Sequence, residues 1–191
     1  MLKDTFTKIY KNKNWQDIYG TESGPGSSIE CSKPYLNFLQ EFCNSYSIKS
    51  ILDLGCGDFN LMRYFDFVGI DYLGIDVVDH VIVNNKQLYE NTNIKFKSQS
   101  IIDYSSDISY DLILCKDVLQ HLNQNNVFKV LNIKNYKYAL YTNDFSEGVN
   151  NNVEDGNYSP IDLSKTPYSV NCECVFEWQS CFFKKRVYKV F

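Results

Sequence analysis

Arginine is nearly missing from this 191-residue sequence; Arg63 and Arg186 are the two present. That excludes a surface that reads phosphates through bidentate guanidinium forks. Net charge is −4 and the pI is about 5.2, so no global field attracts nucleic acid or anionic lipid. Alanine occurs once, at Ala139, while Asn, Lys, Ile and Tyr abound. That bias reads as an AT-rich gene, and it lowers the weight of the lysine count. No apolar run approaches the roughly 20 residues of a membrane span. Met1 to Tyr10 is polar and lacks an apolar signal core. A soluble, cytoplasmic protein is expected. The seven cysteines are odd in number, and several sit inside apolar runs. They read as small buried thiols in a reducing compartment. Cys172 and Cys174 share a strand face, but a zinc site needs more ligands, and no second close Cys/His pair exists. No metal ligand is assigned.

Length fits one domain, 1–191, able to bury a sizeable core without a disulfide or metal staple. Residues 1–30 read as an arm: a weak helix near Phe6 to Tyr19, then a Gly/Ser-rich loop through Ser28. A helix follows, with Ser32 as its cap, Pro34 in its first turn, and Tyr35, Phe38, Leu39, Phe42, Cys43 and Tyr46 on one face. Strands are expected at Ser50–Leu54, Tyr72–Ile75, Ile94–Lys97, Asp111–Cys115 and Tyr138–Thr142. Helices are expected at Asn60–Phe65, Val81–Tyr89 and Asp117–Leu131. Such alternation implies a parallel sheet with helices on both faces. Residues 143–170 lack a helical period, and the tail from Glu173 reads as two strands of a hairpin. A long irregular segment leaving the C-terminal edge of such a sheet reads as an acceptor-site loop.

The strongest motif is Ile51-Leu-Asp-Leu-Gly-Cys-Gly-Asp58. A buried strand runs into two glycines spaced by one residue, which let the backbone turn tightly and approach a ligand. A dinucleotide fingerprint needs a third glycine, which is absent, and no phosphate-binding Gly-Lys-Ser/Thr follows. Asp53 offers a carboxylate at the strand end. Asp76 ends the next strand in Gly74-Ile-Asp76, placed to hold two ribose hydroxyls.

Together with Asp111-Leu-Ile-Leu-Cys-Lys-Asp-Val-Leu-Gln-His-Leu122, these residues resemble the class I S-adenosylmethionine-dependent methyltransferases over about residues 50–142. The resemblance implies a Rossmann-like α/β fold: a seven-stranded, mostly parallel sheet with an antiparallel terminal hairpin and helices on both faces. It implies S-adenosylmethionine as cofactor. Gly55 and Gly57 would meet its methionine part, Asp53 its amino group and Asp76 its ribose, with the adenine near Ser100 and Ile101. Many relatives carry Asp where Ser100 stands. Trp15, Ser23-Gly-Pro-Gly-Ser27 and Asn152 to Tyr168 resemble a small subgroup acting on sugars or surface glycans. Arm and loop would then close over the cofactor and the acceptor, with Trp15 of the arm as a cofactor-binding residue.

Asp117, with Gln120 three residues on, forms a capping box for the helix after the fourth strand. Its sheet-edge position also makes it a candidate base. His121, one turn on, can accept a proton from a hydroxyl, and is the second catalytic candidate. A subset of class I O-methyltransferases binds magnesium through an acid after the fourth strand and an Asp-Asn pair after the fifth. Here the pair is reversed, Asn143-Asp144. The expected reaction is O-methylation of a small sugar or glycan acceptor by a monomer or homodimer, with no nucleic-acid partner. Alternatives are N-methylation of a small amine or protein, and a cofactor-binding module without catalysis.

Overall fold

The computed structural model describes residues 2–145 and 150–191. Four elements lead in: α1 (Leu2–Lys11), a 3-10 turn at Pro25–Ser27, α2 (Ile29–Ser45) and β1 (Ser50–Leu54). Then come β2 (Asp71–Asp76), α3 (Asp79–Tyr89), β3 (Ile94–Ser98), β4 (Tyr110–Lys116), α4 (Gln124–Leu131), β5 (Tyr136–Phe145), β6 (Cys172–Gln179) and β7 (Lys184–Val190). The sheet order is β3-β2-β1-β4-β5-β7-β6, with β7 antiparallel to both β5 and β6 and every other pair parallel. The expected seven-stranded, mostly parallel Rossmann-like sheet with an antiparallel hairpin is therefore present.

Strand alternation splits the core in two. Ile51, Leu112, Leu114 and Leu140 face Tyr35, Leu39 and Phe42 of α2, together with Trp178 and Val187. Leu52, Leu54, Ile113, Cys115, Ala139 and Tyr141 face the opposite layer, which includes Phe6 and Tyr10 of α1 and Val127 and Val130 of α4. The central strands are thus covered on both sides, which is why β1 and β4 read as continuous apolar runs.

Local chemistry moves several expected boundaries. Ser28, not Ser32, caps α2, accepting from the Cys31 amide at 3.2 Å. Ser32 lies inside the helix, where its hydroxyl donates to the Gly26 carbonyl at 2.7 Å. The helix expected over Asn60–Phe65 is a 3-10 turn, Met62–Tyr64. The helix expected from Asp117 is also shorter. Asp117 has φ +60°, and its amide donates to the Thr142 carbonyl at 2.8 Å, prolonging the β4–β5 ladder. A 3-10 turn, Leu119–His121, follows, and α4 starts only after Asn123, whose side chain accepts from the Asn126 amide. The Asp117–Gln120 capping box therefore does not form. Of the expected acceptor-site loop 143–170, residues 146–149 lie outside the described residues.

The expectation of free thiols fails at one pair. Cys31 and Cys181 form a disulfide across 150 residues. The Trp178 indole and the Ser180 hydroxyl both donate to the Cys31 carbonyl, at 3.2 and 3.1 Å, and bring the β6–β7 turn to the start of α2. Cys43, Cys56, Cys115, Cys172 and Cys174 are free. Among the described residues, no helix is long and apolar enough to cross a membrane.

Candidate active site

A cavity of about 380 Å³ opens at the C-terminal edge of the parallel strands. One end is built by the glycine turn. The Gly55 and Cys56 amides donate to the Ile75 carbonyl at 2.8 and 3.0 Å, binding the turn to β2. The Gly57 amide donates to Asp76 Oδ2 at 3.1 Å, and Asp76 Oδ1 accepts from the Val78 amide at 3.0 Å. Gly55 and Gly57 have φ +78° and +55°, and a Cβ on Gly55 would lie 2.6 Å from Val118 Cγ2. Asp76 is buried, and burial raises its pKa. Asp53 accepts from the Tyr72 hydroxyl at 2.7 Å. Burial pushes its pKa up to about 6, against that hydrogen bond and Lys116. Two buried carboxylates thus flank a turn whose two glycines carry no side chain. That suits a ligand carrying an ammonium at one end and a vicinal diol at the other.

The arm covers this end. Leu2, Phe6, Tyr10 and Trp15 line the cavity, and the 23–27 loop rests on the glycine turn. Asp58 Oδ2 accepts from the Glu22 and Ser23 amides at 2.8 and 3.3 Å, while the Asp58 amide donates to Ser23 Oγ at 2.9 Å. A Cβ on Gly26 would lie 2.4 Å from Asp117 Oδ2, so the arm touches the cavity floor directly.

The other end is a charged floor under an aromatic rim. Lys185 Nζ, from β7, donates to Asp117 Oδ1 at 2.7 Å and to Asp144 Oδ1 at 2.5 Å. Lys116 Nζ donates to Asp117 Oδ2 at 2.6 Å and to the Gly26 carbonyl at 2.7 Å. Burial pushes the Asp117 carboxyl up, but the two ammoniums outweigh it and hold it well below the usual carboxylate range. Burial works against the charge on Lys185, yet Asp117 and Asp144 raise its pKa overall. The Tyr158 hydroxyl donates to Asp144 Oδ2 at 3.0 Å, and the Gln120 amide brackets Asp144 from both sides.

His121 is fixed by the 150–163 segment. Its carbonyl accepts from the Gly156 amide at 2.8 Å, and the Gln120 carbonyl from the Ser159 amide at 2.9 Å. Its Nδ1 lies 3.0 Å from the Asn157 carbonyl. A carbonyl only accepts, so Nδ1 carries the hydrogen and the Nε2 of the neutral ring carries the lone pair. Burial lowers the pKa of His121, partly opposed by the Asn157 carbonyl, Asp117 and Asp144. Its ring packs against Trp15 at 4.7 Å and Tyr158 at 5.8 Å. Phe182 and Phe183 of the β6–β7 turn complete the rim, both more exposed than Trp15.

The cavity brings together Trp15, Asp53, Gly55, Gly57, Asp76, Ile101, Asp117 and His121 from the sequence-derived candidates. Ser100 lines a neighbouring depression instead, beside Leu2 and Val77. Asn143 does not line the cavity; its side chain is buried, with no partner among the described residues. The acid-plus-pair arrangement of metal-binding relatives is therefore not assembled, and an ammonium stands between Asp117 and Asp144. Sequence reasoning missed Lys185. Its signal was the period of two: Lys185 shares a strand face with the buried Val187.

Topology, glycine turn and paired strand-end carboxylates define the class I S-adenosylmethionine-dependent methyltransferase fold. The profile of a methyltransferase domain family matches residues 52–136. Among solved structures, the N-methyltransferase NodS from Bradyrhizobium japonicum, held with S-adenosyl-L-homocysteine, superposes with TM-score 0.68 at 12% identity over 95% of this chain and 97% of its own. The 1,6-didemethyltoxoflavin-N1-methyltransferase from Burkholderia thailandensis gives 0.65 at 13% identity over 99% and 86%. Magnesium protoporphyrin IX methyltransferase from Synechocystis gives 0.59 at 11% over 82% and 81%. No curated protein sequence matches the chain. S-adenosylmethionine, the cofactor expected from the motifs, is the one that domains of this class use.

Proposed function

We propose that this chain transfers a methyl group from S-adenosylmethionine to a hydroxyl of a small, ring-bearing acceptor, a sugar or surface-glycan unit. Bound at the glycine turn, the cofactor supplies an electrophilic methyl. Asp53 and Asp76 hold its polar ends, and the arm excludes water. The observation that carries the hydroxyl assignment is the His121 tautomer. A neutral imidazole whose Nδ1–H is committed to Asn157 presents Nε2 as the proton acceptor. Asp117, the other candidate base, is given an anchoring role, because two lysines share its charge and depress its basicity. The rim of Trp15, Tyr158, Phe182 and Phe183 suits the apolar face of a ring.

The test pairs calorimetry with an acceptor panel. S-adenosyl-L-homocysteine should bind the wild type, and Asp76→Ala should weaken it by at least about tenfold through lost charge-assisted hydrogen bonds. No heat and no thermal shift with the wild type would sink the methyltransferase reading. Labelled cofactor should transfer to nucleotide sugars or surface glycans rather than to small amines. Transfer to the amines alone would replace O- by N-methylation. His121→Ala should lower turnover by roughly 10²–10⁴-fold with cofactor affinity unchanged. Because burial depresses the His121 pKa, the acid limb of the wild-type rate should lie below the ordinary histidine range.

A further inference from the structure

The charged floor contains a lysine that the proposed reaction leaves unused. Lys185 is 3% exposed, and its ammonium touches one carboxylate from the β4 edge and one from β5. Burying a lysine this deeply is unfavourable unless its charge is matched, and here two carboxylates match it. The contact does not end there. Asp144 accepts from Tyr158 and Gln120 through its second oxygen, and Gln120 precedes His121. Tyr158 in turn lies against the His121 ring.

We infer that Lys185 is the internal cation of the acceptor site: its ammonium occupies the space between Asp117 and Asp144 and matches their charge. Through Asp144 it sets Tyr158 and Gln120, and hence the His121 ring, in place. Lys185 is a positioning residue. It touches neither the cofactor turn nor Nε2. The role rests on the reading of His121 as proton acceptor, but its test requires no turnover. Groups facing His121 are Asp117, Asp144, Lys185 and Tyr158, with Trp15 as the uncharged wall from the arm.

The experiment is an NMR titration of the histidine Cε1–Hε1 signals with and without Mn²⁺. His80 and His121 are the two histidines, so His80→Gln assigns both signals. In the wild type, submillimolar Mn²⁺ should leave the His121 signal sharp, because the cation position is filled. In Lys185→Gln, Asp144 loses its ammonium and Asp117 keeps that of Lys116 alone. Mn²⁺ should then broaden the His121 signal, and the proton affinity of His121 should rise at least about threefold without metal. Lys185→Arg should keep the charge and resist Mn²⁺, and His80 should stay unmoved throughout. Unchanged titration and no broadening in Lys185→Gln would overturn the inference. If Lys185→Gln shows no folded state, the near-isosteric Asp144→Asn carries the test: the proton affinity of His121 should fall, and an unchanged value overturns the inference equally. Failure of the wild type to bind S-adenosyl-L-homocysteine, by contrast, would remove the methyltransferase reading and leave these signals interpretable.

Discussion

Substituting Gly57 by Ala tests how the arm and the glycine turn are fitted together. At φ +55° an alanine adopts the left-handed conformation at a cost of about 1–2 kcal/mol. Its Cβ would also lie 2.5 Å from Ser23 Oγ, with Ser23 Cβ at 3.1 Å and the Tyr10 hydroxyl at 3.3 Å. The serine hydroxyl must move. It bonds the Tyr10 hydroxyl at 2.6 Å and accepts from the Asp58 amide, and losing both bonds costs about 1 kcal/mol each. Gly57→Ala should therefore destabilise by roughly 3–4 kcal/mol, lowering Tm by about 6–16 °C at this chain length. Ser23→Ala alone removes the same two hydrogen bonds, at about 2 kcal/mol. In the double variant those bonds are lost once and the hydroxyl clash is gone. The double variant should fall short of additivity by about 2 kcal/mol. Urea unfolding followed by circular dichroism measures all four corners of the cycle. Additivity within about 0.5 kcal/mol would refute the claim that Gly57 lacks a side chain to admit Ser23.

Asp117→Asn leaves Lys116 and Lys185 short of one carboxylate and should destabilise by about 3–5 kcal/mol. The Asp117 carboxyl lies below its unfolded value, so its contribution is complete above about pH 4 and is lost as pH falls through the folded value. That acid limb should vanish from the urea-derived stability profile of the variant. Thiol titration of the denatured, unreduced protein should find five free thiols, and seven after reduction. A 150-residue closed loop is worth about 5 kcal/mol in the chain-entropy treatment, so reduction should lower Tm clearly. An unchanged transition after complete reduction would contradict that expectation.

Much of the fold was legible because it rests on local pattern. The β1 run ends where the sequence places it, at Leu54, and the other central strands differ from expectation by a few residues at their ends. The cofactor end was equally legible, since Asp53, Gly55, Gly57 and Asp76 lie at strand ends whose register follows from the alternation. What stayed hidden depends on distant pairing. Asp117 reads as a helix cap until the β4–β5 ladder takes its amide and turns its carboxylate toward Lys185. Cys31 and Cys181 meet only because β6 and β7 fold back against α2. Ser100 was expected beside the cavity through Ile101, but the backbone at that point turns the two residues toward different depressions.

The floor built by Lys116, Asp117, Lys185 and Asp144 holds two positive and two negative side chains. Its field is therefore short-ranged and close to cancelling beyond the first layer of contacts. A cleft of a single sign speeds encounter by roughly 10–10³-fold, and the floor by itself supplies no such field. On the proposed reading, discrimination between acceptors would fall to the shape of the exposed rings of Phe182, Phe183 and Tyr158.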